Sequence, residues 1–257
     1  MFECVCKGGQ SERREVEQRF YLFFLLADVF IFFRAQKKFS CNIISHTHST
    51  SGKPSYWDER YTKDPEAFDW YQRYSGIKEI LGTHLKKTDT IINIGCGNSR
   101  LSEDMVEDGY KSITNIDISK VVIDQMLSKL GDKAGLTWKQ MDATTLDFPD
   151  EHFDSVLIKG TMDAILCGEG STTNVAKMCA EVSRVMKSNS VFIVVSYGIP
   201  ENRLSYLENS EYNWKVEVLT VPKPTISATQ VPESKDSNSV HYIYVCTKGV
   251  RGKEEED

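Results

Sequence analysis

The chain has 257 residues, 40% hydrophobic and 26% charged, with a net charge of −6 and a pI near 5.5. That length fits one large domain or two small ones, and the composition excludes a disordered or fibrous chain. No basic excess draws it to a polyanion, so no nucleic-acid partner is expected, while a basic protein partner stays open.

The first unusual stretch is residues 20–33, FYLFFLLADVFIFF, between Arg19 and Arg34. It falls short of the roughly 20 apolar residues a membrane-spanning helix needs. Asp28 sits in its middle, where lipid burial is costly, and no small-residue cleavage site follows. Three readings stay open: a helix packed on the domain, a membrane-associating segment, or a spurious extension. We read residues 1–55 as an extension and linker outside the main folded domain, helical or disordered, and expect no membrane anchoring. Its last part, residues 40–55, is rich in Ser, Thr, Gly and Pro, which is linker composition.

From Tyr56 onward short apolar runs alternate with amphipathic stretches, the pattern of βαβ units and a mainly parallel sheet. Residues 90–94 read as a first strand ending in Gly95-Cys96-Gly97-Asn98-Ser99, and 101–108 as a short helix. A second strand, 112–116, ends at Asp117; Ser119 then caps a helix over 121–130. A third strand covers 136–141 and ends at Asp142, and a fourth covers 153–158 and ends at Lys159-Gly160. Val175, Met178, Cys179, Val182 and Met186 lie at helical spacing within 172–186. Residues 190–197 form an apolar fifth strand rich in Val and Ile, which suits cover on both faces. A short helix over 201–207 and two strands, 215–221 and 240–247, complete the order, with a Pro/Ser/Lys-rich loop, 222–239, between the strands. Residues 249–257 read as a charged disordered tail. The expected fold is α/β: a Rossmann-like seven-stranded sheet with helices on both faces and the last strand inserted antiparallel.

The seven cysteines, Cys4, Cys6, Cys41, Cys96, Cys167, Cys179 and Cys246, include no CxxC pair. They read as free thiols of a reducing compartment, so a cytoplasmic protein with no metal is expected. The five histidines are scattered without metal-ligand spacing.

The Gly95-x-Gly97 turn follows a strand and opens a helix, where glycines let the backbone turn sharply and approach a ligand. Asp117 closes the next strand, about 20 residues on, where a carboxylate can accept hydrogen bonds from ribose hydroxyls. Asp142 closes the third strand, near an adenine edge. A dinucleotide fingerprint would put a third glycine at position 100, but Arg100 stands there, and no GxxxxGK[ST] loop exists. A nucleoside with an amino-acid tail fits better than a diphosphate. Each residue also has a plainer reading: a turn for the glycines, a helix cap for Asp117, a turn cap for Asp142, a solvated strand end for Lys159.

Tyr56-Trp57-Asp58-Glu59-Arg60-Tyr61, Ile94-Gly95-Cys96-Gly97-Asn98-Ser99, Leu146-Asp147-Phe148-Pro149 and Lys159-Gly160-Thr161-Met162-Asp163-Ala164 resemble a methyltransferase-like family. The family uses S-adenosyl-L-methionine and includes lysine methyltransferases of translation elongation factor 1-alpha. The resemblance covers residues 56 to about 248 and implies a class I methyltransferase domain there. It implies that Trp57, Tyr61 and Trp70 fold over the cofactor, that Gly95 meets its amino-acid end and that Asp117 and Ile118 hold ribose and flank adenine. Asp142 and Ala143 would meet the adenine, and Lys159 would lie near the methionine moiety. Asp163 is the candidate acceptor-site residue, able to steer a lysine ammonium, though a helix-start aspartate is an equal reading. The chain departs from the family at Ile158, where an acidic residue is frequent, at Met162, where Leu is usual, and in a shorter loop after Gly168.

The resemblance implies a protein-lysine N-methyltransferase, a monomer, acting on a translation elongation factor, elongation factor 1-alpha in particular. Two other readings stand beside it. A small-molecule methyltransferase would keep the cofactor site and change the acceptor. A non-catalytic S-adenosylmethionine-binding interaction module is motivated by Ile158 and by the unusual N-terminus.

Overall fold

A computed structural model of the chain describes residues 53–224 and 239–250. The run 20–33, most of the expected linker, most of the 222–239 loop and the end of the tail lie outside the described residues. Among the described residues no helix is long and apolar enough to cross a membrane.

The linker expectation ends too late. Helix α1, Pro54–Lys63, starts inside it with Pro54 in its first turn, where a fixed φ and a missing N–H cost nothing. Helix α2, Tyr74–His84, buries a stripe of Tyr74, Ile77 and Leu81. Strand β1, Thr90–Ile94, leads into α3, Leu101–Glu107, and β2, Ser112–Asp117, into α4, Lys120–Leu130. Ser119 caps α4 as its sequence position suggests, its side chain accepting from Val122 N at 3.3 Å. Strand β3, Leu136–Gln140, stops just short of Met141, and β4, Phe153–Lys159, takes in Lys159. Helices α5, Thr161–Leu166, and α6, Ser171–Val185, follow. Val175, Met178, Cys179 and Val182 form the buried stripe of α6.

Strand β5, Met186–Ser196, begins four residues earlier than the apolar run suggests. Met186 ends the helical pattern but pairs with Phe153 across the sheet, and the register shifts before Ser155 meets Val191. The polar residues between disguise this stretch as a loop. At the other end β5 stops at Ser196, so Tyr197 leaves the strand. The short helix expected over 201–207 divides into a 3-10 turn, Pro200–Asn202, and α7, Leu204–Leu207. Strands β6, Trp214–Pro222, and β7, Val240–Lys248, close the order.

The seven strands form one sheet in the order β3-β2-β1-β4-β5-β7-β6. β1 to β5 are parallel, and β7 inserts antiparallel between β5 and β6. Successive side chains on the central strands point to opposite faces, so each strand feeds two cores. On one face Ile91, Leu157, Ile193 and Val245 pack with α2, α3 and α4. On the other, Ile92, Ile158, Val194 and Tyr244 pack with α6. Helices therefore cover both faces, and the carboxyl ends of β1, β2, β4 and β5 are left to carry the site.

Candidate functional site

The loop after β1 turns through two left-handed residues, Gly95 (φ 70°) and Gly97 (φ 54°), which favour glycine. Space demands glycine as well. A Cβ on Gly95 would drive into the Thr161 hydroxyl, and one on Gly97 would sit 2.7 Å from the Tyr61 hydroxyl. Thr161 donates to Ile94 O at 2.7 Å, tying α5 to the end of β1.

Asp117 lies at the heart of this end of the sheet, 6% exposed. Its Oδ2 accepts Gly97 N–H at 2.9 Å and its Oδ1 accepts Ser119 N–H at 3.0 Å. These partners are backbone amides, not a lysine or arginine. Burial outweighs them and pushes the carboxyl pKa up to about 6, with the Asp58 charge adding to the rise. A shift of that size from 3.8 makes the ionised form less stable by about 3 kcal/mol. A buried carboxylate held by backbone amides, with no neutralising cation among the described residues, suits ribose hydroxyls. Half-buried Ile118 follows it as an apolar flank, and the Ile118 carbonyl accepts from Gln140 Nε2 at 3.2 Å.

Residues 57–71 lie over these strand ends, latched by polar groups from the loops. Asp58 accepts from Ser119 Oγ at 2.6 Å and from Val121 N at 3.3 Å. Asn98 Nδ2 donates to Glu66 O at 2.5 Å, and Asn98 Oδ1 accepts from Phe68 N. Gln125 Nε2 donates to Tyr61 O at 3.0 Å. Tyr61 is buried beside Asp117, and both effects raise its phenol well above the usual range. Trp57 stacks on Tyr61, with centroids 5.9 Å apart and planes at 27°. Trp70 meets Phe68 edge to face at 5.1 Å.

Lys159, 7% exposed, is engaged by this segment: its Nζ reaches Asp69 at 3.0 Å and Trp70 O at 3.2 Å. Burial pulls its ammonium below the usual lysine range, and Asp69 only partly restores it. Asp69 also accepts from the Ser99 hydroxyl. Asp58, Asp69, Asn98 and Ser99 are thus functional candidates that carried no assigned role in the sequence, although three of them fall inside the motifs quoted above.

The other expected residues are engaged by partners of their own, and the end of β3 adjoins Asp117 through Met141 N, which donates to Asp117 O at 2.9 Å. Asp142 is exposed, and its Oδ1 accepts both the N–H and the hydroxyl of Thr144, at 2.8 and 2.9 Å. That is the turn-capping alternative. Ala143 packs on the apolar cluster of the α6 face. Asp163 is 3% exposed and forms a second hub with Arg203 (2.8 Å), Ser196 Oγ (2.6 Å) and Tyr197 N (3.3 Å). Arg203 had no sequence signal, because its partner lies 40 residues away. Ile158 and Met162, the two departures from the family pattern, are both buried in the apolar cluster of the α6 face. They are packing residues.

Residues 92–194 match the family model described as Methyltransferase domain. The chain is similar to mouse eEF1A lysine and N-terminal methyltransferase, 38% identical over 60% of this chain and 23% of that protein. It is also similar to mouse EEF1A lysine methyltransferase 4, 34% identical over 64% of this chain and 69% of that protein. It therefore spans under a quarter of the first relative's length and about two thirds of the second's. The solved phosphoethanolamine N-methyltransferase 1 of Haemonchus contortus shares the fold at a TM-score of 0.53 and 15% identity, covering 79% of this chain and 50% of that one.

Proposed function

The chain belongs to the family of S-adenosylmethionine-dependent methyltransferases that includes EEF1A lysine methyltransferase 4, and on that premise we propose that it is a protein-lysine N-methyltransferase acting on translation elongation factor 1-alpha. The observation that carries the reading is the buried Asp117 carboxylate beneath the Gly95–Gly97 turn, which has no cationic partner among the described residues. Such a group is costly to the free protein and suited to ribose hydroxyls. The substrate is taken from the relatives' names, and Ile158, which motivated the interaction-module alternative, is buried in the core.

S-adenosylmethionine, when bound, supplies a methyl group already activated on a sulfonium. The chain's own residues have the tasks of holding and excluding. Asp117 accepts from the ribose, with Ile118 and Ala143 beside the adenine. Trp57, Tyr61 and Trp70, carried by the latched segment, keep water from the site. Gly95 leaves room for the amino-acid end of the ligand, and Lys159 fixes the segment through Asp69. A lysine acceptor must lose its ammonium proton before its lone pair can take the methyl, and a partly desolvated entrance favours that loss. We assign the activity to residues 54–248, acting as a monomer in the cytoplasm, with residues 1–53 and 249–257 outside it.

Calorimetric titration with S-adenosylmethionine and S-adenosylhomocysteine tests the cofactor site. Micromolar binding should fall by roughly a hundredfold in Asp117→Ala, the loss expected for two hydrogen bonds to a charged group. A labelled-methyl assay on purified elongation factor 1-alpha, with the modified lysine mapped by mass spectrometry, tests the substrate. Label entering only a small metabolite would replace the protein acceptor. Binding with no transfer to any acceptor would leave an interaction module. No binding by the folded protein would remove the methyltransferase reading.

A further inference from the structure

We propose that the acceptor side chain lies along a wall made by the rings of Tyr71 and Tyr197, and that Asp163 and Arg203 position those rings without holding the acceptor amine. The proposal rests on the methyltransferase reading and names the residues that would receive a lysine.

Tyr71 is one of four non-glycine residues with a positive φ (62°) among the described residues. A left-handed tyrosine is strained by about 1–3 kcal/mol and persists only where its surroundings hold it. Here the next residue anchors the chain, Gln72 Nε2 donating to Pro222 O at 2.6 Å. The Tyr71 phenol is buried close to Asp163, and burial and that carboxylate together push it well above its usual range. Its ring lies on Gly160, 3.4 Å from where a Cβ would stand. Gly160 directly follows Lys159 at the end of β4, so the strain sets this ring beside the strand-end site.

Tyr197 leaves the end of β5, and Lys159 on β4 is in register with Val195 two residues before it. It is 45% exposed, a large aromatic open to solvent. Its ring lies 5.9 Å from that of Tyr71. The Arg203 guanidinium sits 5.4 Å from the Tyr197 centroid and covers one face. The two rings make a wall with an open side, at the same end of the sheet as Asp117.

Asp163 is already engaged by four donors. Its Oδ1 takes Ser196 Oγ and the Arg203 Nε and Nη2 groups, and its Oδ2 takes Tyr197 N. Its Oδ1 is fully occupied, and its charge is matched by a buried guanidinium. The carboxylate also stands next to both tyrosines, through the Tyr197 N–H and the nearby Tyr71 phenol. A wall with no free negative charge holds the alkyl stem of lysine without trapping its ammonium in an ion pair. Aromatic faces also suit methylated ammonium groups, which are bulky and weakly hydrated.

The test uses the full chain carrying ring-labelled tyrosine, with and without S-adenosylhomocysteine. It is titrated by NMR with N-acetyl-trimethyllysine methylamide and with a neutral tert-butyl analogue of the same shape. Signals are assigned from Tyr71→Phe and Tyr197→Phe. Tyr71 and Tyr197 should move with the cationic probe. Tyr197→Ala should weaken its binding by roughly tenfold and leave S-adenosylhomocysteine affinity unchanged, while Tyr197→Phe keeps it. Asp163→Asn should disturb the Tyr71 signal yet retain the preference for the cation over the analogue. Loss of that preference in Asp163→Asn, movement confined to other tyrosines, or no movement at all would overturn the proposal. Unlabelled elongation factor 1-alpha with intact ring binding would end only the substrate reading.

Discussion

Asp108 and Asp117 flank β2 at its two ends, and the protein treats them in opposite ways. Asp108 gathers Lys78, Lys87 and the Tyr74 hydroxyl. Hydrogen bonds from those groups hold its carboxyl well below the usual range, at a site open to water. Asp117 is buried, receives only backbone amides and is pushed up to about 6 by desolvation. The contrast extends to their surroundings. The strand-end side also carries a lysine pulled below its usual range at Lys159 and a left-handed tyrosine at Tyr71. One end of the sheet is electrostatically satisfied, while the other retains unfavourable terms that a ligand can relieve. Sites of function are where such local costs persist.

The largest expected effect comes from the buried pair on the costly side. Arg203→Met would leave Asp163 as an uncompensated buried charge and should destabilise the fold by about 3–5 kcal/mol in urea unfolding. A loss under about 1 kcal/mol would mean that Ser196 and Tyr197 suffice to hold it. Lys159→Met should cost less, about 1–3 kcal/mol, because Asp69 keeps the Ser99 hydroxyl. Its signature is local: faster amide hydrogen exchange over residues 58–71, with β5 and β7 unaffected.

A pH titration sharpens the comparison further. Asp117 has a raised native pKa, so between 3.8 and about 6 the folded protein binds a proton that the unfolded chain has released. Its contribution to stability therefore falls as pH rises through that window and is fully lost above about 6. Carboxylates with depressed values, such as Asp154 and Glu181, act in the opposite sense. The effect is thus read as the Tm difference between wild type and Asp117→Asn. S-adenosylhomocysteine affinity should run the other way, weakening as pH falls below about 6 and the acceptor is protonated. A flat profile from pH 5 to 8 would remove Asp117 from the ligand site.

The smallest effect is expected from Asp108→Asn. It should lower Tm slightly, less so at high salt, because exposed pairs are screened. S-adenosylhomocysteine affinity should not change. A change there would show that the two ends of β2 are coupled.

Much of the fold was legible in the chain because apolar periodicity reports burial directly. The run 191–195 has to be covered on both faces, and the α6 stripe has to face a core. The elements that escaped are those whose reasons lie outside them. β5 reaches back to Met186 only because Phe153 pairs with it. Helix α1 begins in a Pro/Ser/Gly stretch because Tyr61 packs on the first core and Asp58 reaches Ser119.

The site divides in the same way. Gly95, Gly97 and Asp117 follow from local rules, since a sharp turn after a strand needs left-handed residues and the next strand end places a carboxylate beside it. The chain by itself therefore determined the alternation of strands and helices, the sheet's two-sided core and the position of the nucleoside-type turn. Only the tertiary structure decided that Asp142 caps Thr144, that Lys159 is engaged by Asp69 and that Asp163 is neutralised by Arg203. Hydrophobic spacing is written in neighbouring residues. The partner of a buried charge can be 40 or 90 residues away, and only the folded backbone brings the two within hydrogen-bonding distance.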